Sequence, residues 1–190
     1  MLYNYKMNGS IILASGSPRR VQLLSTLIDD FEIVVADVDE SVAADDPVEV
    51  VTTLAKRKAN AVNKEGLIIA ADTIVYDDEV LGKPANAEVA VKTLLRLSGR
   101  THFVYTGVCL KTQSGETTFY DSTAVTFKKL TEEEIREYVA TFKPLDKAGS
   151  YGVQDGVVVE KTEGSFSNVV GLPLEKLKEA LIALGVSIKR

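Results

Sequence analysis

Cysteine, histidine and long apolar runs are scarce in this chain, and each shortage removes a class of function. Its one cysteine, Cys109, permits no disulfide within the chain, which suits a reducing, cytoplasmic setting. Cys109 lies in an apolar, alternating stretch and reads as a packing residue. Its one histidine, His102, sits in a strand-like segment with no serine, cysteine or second histidine in evident partnership. A histidine-centred catalytic triad is therefore excluded, and a packed imidazole is the reading. No apolar run approaches transmembrane length, and the opening MLYNYKMNG has no signal-peptide core, so no membrane role is expected. Excess positive charge is also missing: 22 Lys and Arg stand against 27 Asp and Glu. The net charge of −5 excludes broad nucleic-acid binding but leaves room for a small anion in a locally basic cleft. Internal repeats and low-complexity segments are absent as well.

What remains is an ordinary globular composition over 190 residues, enough for one domain or two small lobes sharing a sheet. The organising stretch is Ile11–Leu27. Ile11–Ala14 suits a buried strand, Ser15-Gly16-Ser17 breaks it, and Pro18 falls where a helix begins, its favoured position. Val21, Leu24 and Ile28 continue at helical spacing. A strand thus opens onto a helix N-terminus carrying Ser17, Arg19 and Arg20, where exposed N–H groups and the helix dipole favour an anion. Two arginines there oppose the dipole, so helix stability does not explain them. A polyphosphate does, since the guanidinium fork matches phosphate oxygens in pairs, and a solvated basic turn is the bland alternative.

Phe31–Val35 reads as a second strand, followed by an acidic segment that includes Glu40. Such carboxylates are commonly just solvated, but a triphosphate brings a divalent cation, and hard cations want carboxylate oxygens. Pro47 starts a helix running to about Lys64, with Val48, Val51, Ala55, Ala59 and Val62 on one stripe. Lys58 projects at the margin of that stripe, so it snorkels outward or meets an anion. Leu67–Val75 is apolar on both faces, as a central strand should be, except at Asp72 and Thr73. A carboxylate in such a run either caps neighbouring backbone or serves as metal ligand or general base at the lip of the sheet.

Asp77-Asp78 marks a turn into a short strand, Glu79–Leu81, and Lys83 follows in Gly82-Lys83-Pro84. Asn86 caps a helix ending at Ser98-Gly99. Thr101–Leu110 and Thr117–Phe127 form a long hairpin, and Thr131 with Glu134 makes a capping box for a helix over Glu132–Thr141. Pro144–Gly156 is a long glycine-rich loop in which Tyr151 and Gln154 are placed to meet a flat ligand and a base edge. Val157–Glu160 suits a strand, and Ser165–Leu174 leads into a final helix ending near Gly185.

Six of these stretches, in this order, resemble the Maf family of nucleotide pyrophosphatases: SGSPRR (Ser15–Arg20), AADT (Ala70–Thr73), LGKP (Leu81–Pro84), LSGR (Leu97–Arg100), PLDKAGSYGVQ (Pro144–Gln154) and NVVGLPL (Asn168–Leu174). The resemblance covers nearly everything from Ile11, leaving 1–10 as an extension before a single two-lobed domain over 11–190. It implies a Maf/inosine-triphosphatase-like α/β fold, an elongated mixed sheet flanked by helices with two lobes around a cleft. It also implies cleavage of nucleoside triphosphates to monophosphate and pyrophosphate with Mg²⁺ or Mn²⁺. On this pattern Asp72 is the proton acceptor, and Arg19, Thr73 and Gln154 occupy the specificity positions. Taken with the residue chemistry above, the candidate phosphate grip is Ser15, Ser17, Arg19, Arg20, Lys58 and Lys83, and the candidate metal ligands are Glu40 and Asp72. ADT with YGxQ is similar to the dTTP/UTP branch, while modified pyrimidine nucleotides are further candidate substrates. Extra glycines common after the glutamine in relatives are replaced here by Asp155-Gly156-Val157. A rival reading is a nucleotide-binding regulator of cell division or stress that does not hydrolyse its ligand. Proteins of this size commonly pair, so a homodimer is the candidate assembly.

Overall fold

The computed structural model describes residues 9–189, so most of the expected extension, 1–8, lies outside the described residues. In chain order it contains β1 (Ile11–Leu13), α1 (Pro18–Ser25), β2 (Glu32–Ile33), α2 (Pro47–Ala61), β3 (Leu67–Tyr76) and β4 (Val80–Leu81). These are followed by α3 (Ala87–Leu97), β5 (Thr101–Thr112), β6 (Gly115–Phe127), α4 (Glu132–Phe142), β7 (Val159–Glu163), α5 (Phe166–Val170) and α6 (Leu174–Ala183). Two short 3₁₀ turns, Ala148–Ser150 and Val153–Asp155, order the glycine-rich loop.

One mixed sheet runs β2-β1-β3-β5-β6-β7, with β4 attached to β3. β1 is parallel to both β2 and β3, whereas β3, β5, β6 and β7 pair antiparallel. The apolar run of β3 follows from burial on both faces. Ile68 and Ala70 face α2 alongside Ala55 and Ala59, while Ile69 and Ala71 face α1 and α6 with Leu24, Leu177 and Leu181. The far half of β3 belongs to another core with α3 and α4, built on Val75, Leu94, Leu97, Phe127, Ile135 and Tyr138. The long strands therefore pass between two packing centres, and the cleft lies where they meet.

β3 is longer than its neighbours on one edge. β1 pairs with it only at Leu67–Ile69, and β4 only at Val75–Tyr76. Between those pairings the edge of β3 carries no neighbouring strand among the described residues, although on its other edge it pairs with β5 from Ile68 to Tyr76. Asp72 and Thr73 stand in this gap.

Several expected boundaries move. The second strand shrinks to Glu32–Ile33, and the last strand shifts from Val157–Glu160 to Val159–Glu163, starting at a register irregularity against Thr126 and Phe127. Ser165–Leu174, expected as a lead-in, contains a helix of its own, α5, capped by the Ser165 side chain accepting from Asn168 N–H. Asp46 caps α2 by accepting from Val48 N–H, and the capping box at Thr131 and Glu134 forms as expected. Cys109 is buried against α2. No helix among the described residues is long and apolar enough to cross a membrane.

Candidate active site

A cavity of about 660 Å³ opens over the gap in the sheet. Its walls are the β1–α1 turn (Ser15–Arg20), the Asp72–Val75 segment of β3, Leu81–Lys83 after β4, and the Asp146–Gln154 region. Glu40 and Lys58 close one side. All the residues singled out from the sequence therefore line one space, although they come from six separate stretches of chain.

Strand geometry divides them between two faces. Successive side chains of a strand point to opposite sides, so Asp72 turns toward α2 and Thr73 toward α1. On the α2 side, Lys58 Nζ donates to Asp72 Oδ1 at 2.5 Å and lies 3.0 Å from Glu40 Oε1. Its side chain is only 12% exposed and that of Asp72 10%, so Lys58 is folded inward onto two carboxylates rather than snorkelling. The hydrogen bond from Lys58 holds the Glu40 carboxyl below the usual glutamate range, against the upward push of burial.

On the α1 side, Arg20 is anchored by the fold. Nε donates to Gly171 O at 2.8 Å, Nη1 to Ser15 Oγ at 3.3 Å and Nη2 to Thr73 Oγ1 at 3.0 Å. Burial lowers its pKa, with Asp72 opposing that shift. Gly171 has φ +127°, so a side chain at this position would strain the turn that presents its carbonyl to Arg20. Ser17 occupies the N-cap of α1 without a side-chain cap bond, and its N–H donates to Ser15 Oγ at 3.2 Å.

The mouth of the cavity is bridged by Arg19, whose Nη1 lies 3.1 Å from Asp146 Oδ2. Lys147 Nζ contacts the other oxygen of Asp146 at 3.0 Å. Burial pushes the Asp146 carboxyl upward, but the bonds from Lys147 and Arg19 outweigh it and leave the pKa low. Lys83 and Gln154 are exposed at the rim. Tyr151 departs from its expected role: it is 5% exposed, and its hydroxyl pairs with His102 Nε2 at 2.8 Å. Burial lowers the His102 pKa to about 4, which leaves a neutral packing residue.

Sequence reasoning missed Asp146, Lys147, Thr106, Asn168 and Gly171. Four of them sit inside motifs that were recognised, PLDKAGSYGVQ and NVVGLPL, so their positions were marked but not their contacts. Thr106 carried no signal, because one threonine in an alternating strand looks like any outward residue.

The arrangement can hold a small polyanion. Arg19, Arg20, Lys58, Lys83 and Lys147 outnumber the carboxylates Glu40, Asp72 and Asp146 around the cavity. A mixed sheet interrupted at the C-terminal end of its parallel strand, with a helix N-terminus and a cationic cavity at the interruption, defines an α/β protein with a ligand cleft at its sheet switch point. The chain belongs to the Maf-like protein family, which matches residues 10–184. A dTTP/UTP pyrophosphatase of Bacillus cytotoxicus is 49% identical over 177 residues, covering 90% of this chain and 93% of that one. Another protein of that name from Bacillus cereus strain B4264 is 47% identical over 185 residues, covering 94% and 97%. Among solved structures, the Staphylococcus aureus Ham1 protein aligns with TM-score 0.52 at 14% identity, covering 92% of this chain and 98% of its own. A HAM1 protein from Coxiella burnetii gives TM-score 0.52 at 15% identity with the same coverage. Those two likenesses concern the fold, and they agree with the expected α/β architecture of an elongated mixed sheet flanked by helices.

Proposed function

We propose that this chain hydrolyses nucleoside triphosphates between the α and β phosphates, releasing pyrophosphate, with dTTP and UTP as its substrates. The two Bacillus relatives named for that activity support both the reaction and the choice of base. The observation that carries the reading is the meeting of Lys58, Asp72 and Glu40 in the open gap of β3, across the cavity from Arg20. In this reading Arg19, Arg20, Lys58, Lys83 and the backbone of Ser15–Ser17 hold the phosphate tail. Asp72 takes a proton from the attacking water as its oxygen bonds to the α-phosphorus. The bridging P–O bond then breaks, and pyrophosphate leaves with the electron pair. Fixed cations oppose the charge spread over the phosphate oxygens, commonly the largest catalytic contribution.

Glu40 and Asp72 are the carboxylates that would hold a hard divalent cation, Mg²⁺ or Mn²⁺, and both lie against the Lys58 ammonium, at 3.0 and 2.5 Å. No group of three or more His, Cys, Asp and Glu suited to a metal gathers among the described residues, so a cation held by Glu40 and Asp72 would take its remaining oxygen ligands from the substrate and water. A cation bound there supplies charge neutralisation on the phosphates.

The test is pyrophosphate release from a panel of dTTP, UTP, CTP and pyrimidine-modified triphosphates with Mn²⁺ or Mg²⁺. Turnover greatest for the uracil and thymine nucleotides is expected, and Gln154→Ala should change the preference among bases more than the best rate. Binding without pyrophosphate release would replace hydrolysis with the regulator reading.

A further inference from the structure

The hydrogen bonds around Arg20 have fixed directions. A guanidinium only donates, so Thr73 Oγ1 and Ser15 Oγ must each offer it a lone pair. Thr73 Oγ1 also lies 2.9 Å from Thr106 Oγ1, a contact that either hydroxyl could donate. Thr106 settles the direction. Its hydroxyl sits 2.9 Å from the carbonyl oxygen of Asn168, which can only accept, so the one Thr106 hydrogen goes there. That carbonyl belongs to a fully buried residue whose side-chain amide is tied to Val104 O and Thr123 Oγ1, each at 3.0 Å. The Thr73 hydrogen is therefore committed to Thr106, and the chain of bonds runs Arg20 to Thr73 to Thr106 to Asn168 O.

Two neighbouring hydroxyls are left with opposite characters. Ser15 accepts from both Arg20 and the Ser17 N–H, so toward the cavity it has only its hydrogen to give, as a phosphate oxygen requires. Thr73 has one lone pair left and no hydrogen, so it repels an ionised phosphate oxygen and matches a ligand N–H or O–H.

We propose that Thr106, fully buried and outside the cavity lining, is a positioning residue that makes Thr73 an obligate acceptor. Thr73 thereby reads a hydrogen-bond donor on the nucleoside part of the substrate. The inference rests on the nucleotide reading above and deepens it. The donor is either the ring imide N–H of uracil or thymine or a sugar hydroxyl, and the experiment separates them.

Specificity constants are measured for dTTP, N3-methyl-dTTP and 3′-deoxy-dTTP with wild type, Thr106→Val and Thr106→Ser, and binding is measured with the corresponding α,β-methylene analogues. In wild type one analogue loses roughly tenfold or more relative to dTTP, and which one it is identifies the donor. Thr106→Val frees the Thr73 hydrogen and shrinks that ratio several-fold, whereas Thr106→Ser keeps it. Equal use of all three substrates by wild type overturns the proposal, as does a ratio unchanged in Thr106→Val, which is what a merely structural role gives. If wild type binds dTTP without releasing pyrophosphate, hydrolysis fails and the binding ratios alone judge the relay. Absence of nucleotide binding removes both. Should Thr106→Val not fold, hydroxyl-proton NMR of the wild type decides: a Thr73 hydroxyl proton directed at the cleft, rather than at Thr106, overturns the proposal.

Discussion

Lys58 carries the clearest lesson at the scale of single residues. Its place at the edge of an apolar helical stripe allowed either an outward-reaching stem or a buried partner. The partners come from Asp72, 14 residues away in sequence, and from Glu40 in an acidic loop. Helical periodicity fixes the direction of the lysine but says nothing of what meets it, and neither Lys58 nor Glu40 falls in a family motif, so the sequence allowed an anionic partner without naming these carboxylates. Removing the Asp72 charge should leave nucleotide bound, since Arg19, Arg20, Lys58 and Lys83 persist. Asp72→Asn is thus expected to lower pyrophosphate release by roughly a hundred- to ten-thousand-fold, far more than it weakens nucleotide binding. Wild-type turnover in that variant would remove Asp72 from the chemistry. Asp146 has the opposite relation to the ligand, because it competes with phosphate for Arg19. This pair lies at the exposed mouth and is weak, so Asp146→Asn should tighten nucleotide binding by no more than about fivefold. Titration calorimetry on both variants reads the two effects directly.

At the scale of elements, what places Lys58 over Asp72 is the close seat of α2 on the sheet. Gly107, opposite Asp72 in the β3–β5 register, makes that seat, since a Cβ there would lie 2.4 Å from Val51 O. Gly107→Ala should therefore push α2 off the sheet, costing about 1–3 kcal/mol in chemical denaturation and lowering turnover as Lys58 moves with the helix. The elements themselves were readable from strong local signals: Pro at helix starts, the Thr131–Glu134 box, and the alternation of the long hairpin. Gly107 was not, because a glycine inside an alternating strand does not say which helix crosses it. The same limit applied to Tyr151, whose glycine flanks suggested a base platform while His102, 49 residues away, holds its hydroxyl in the core. That pairing has its own signature. With the folded His102 pKa at about 4 against 6.5, the unfolded chain binds a proton over this window that the native state refuses, so stability falls as pH drops. From pH 7 to pH 5 the expected loss from this group is about 2 kcal/mol. Urea unfolding at both values should show a smaller pH dependence in His102→Gln, and an unchanged one would deny His102 this role.

Considered as a whole molecule, the protein uses one missing stretch of strand pairing as its site. β3 runs past the end of β1 and reaches β4 only at Val75, so its Asp72–Thr73 edge is open between two cores. The residues around that opening come from both ends of the chain: Ser15–Arg20 from one, Gly171 from the other. No local pattern predicts such an opening, because it results from the unequal lengths of three strands. A ligand in the gap touches elements of both packing centres and should stabilise them together. At a hundred times its dissociation constant, an α,β-methylene analogue of dTTP or UTP adds about 2.7 kcal/mol to the folded state. For a chain of this length that corresponds to a rise in melting temperature of roughly 5–10 °C. With Glu40 and Asp72 as the proposed metal ligands, most of that rise should require Mn²⁺ or Mg²⁺ and disappear with a chelator. The monophosphate, lacking the tail that spans the cationic wall, should give far less at equal concentration. A monophosphate shift as large as the triphosphate's, with or without metal, would place recognition on the nucleoside alone and leave the arginines and lysines of the cleft without a ligand.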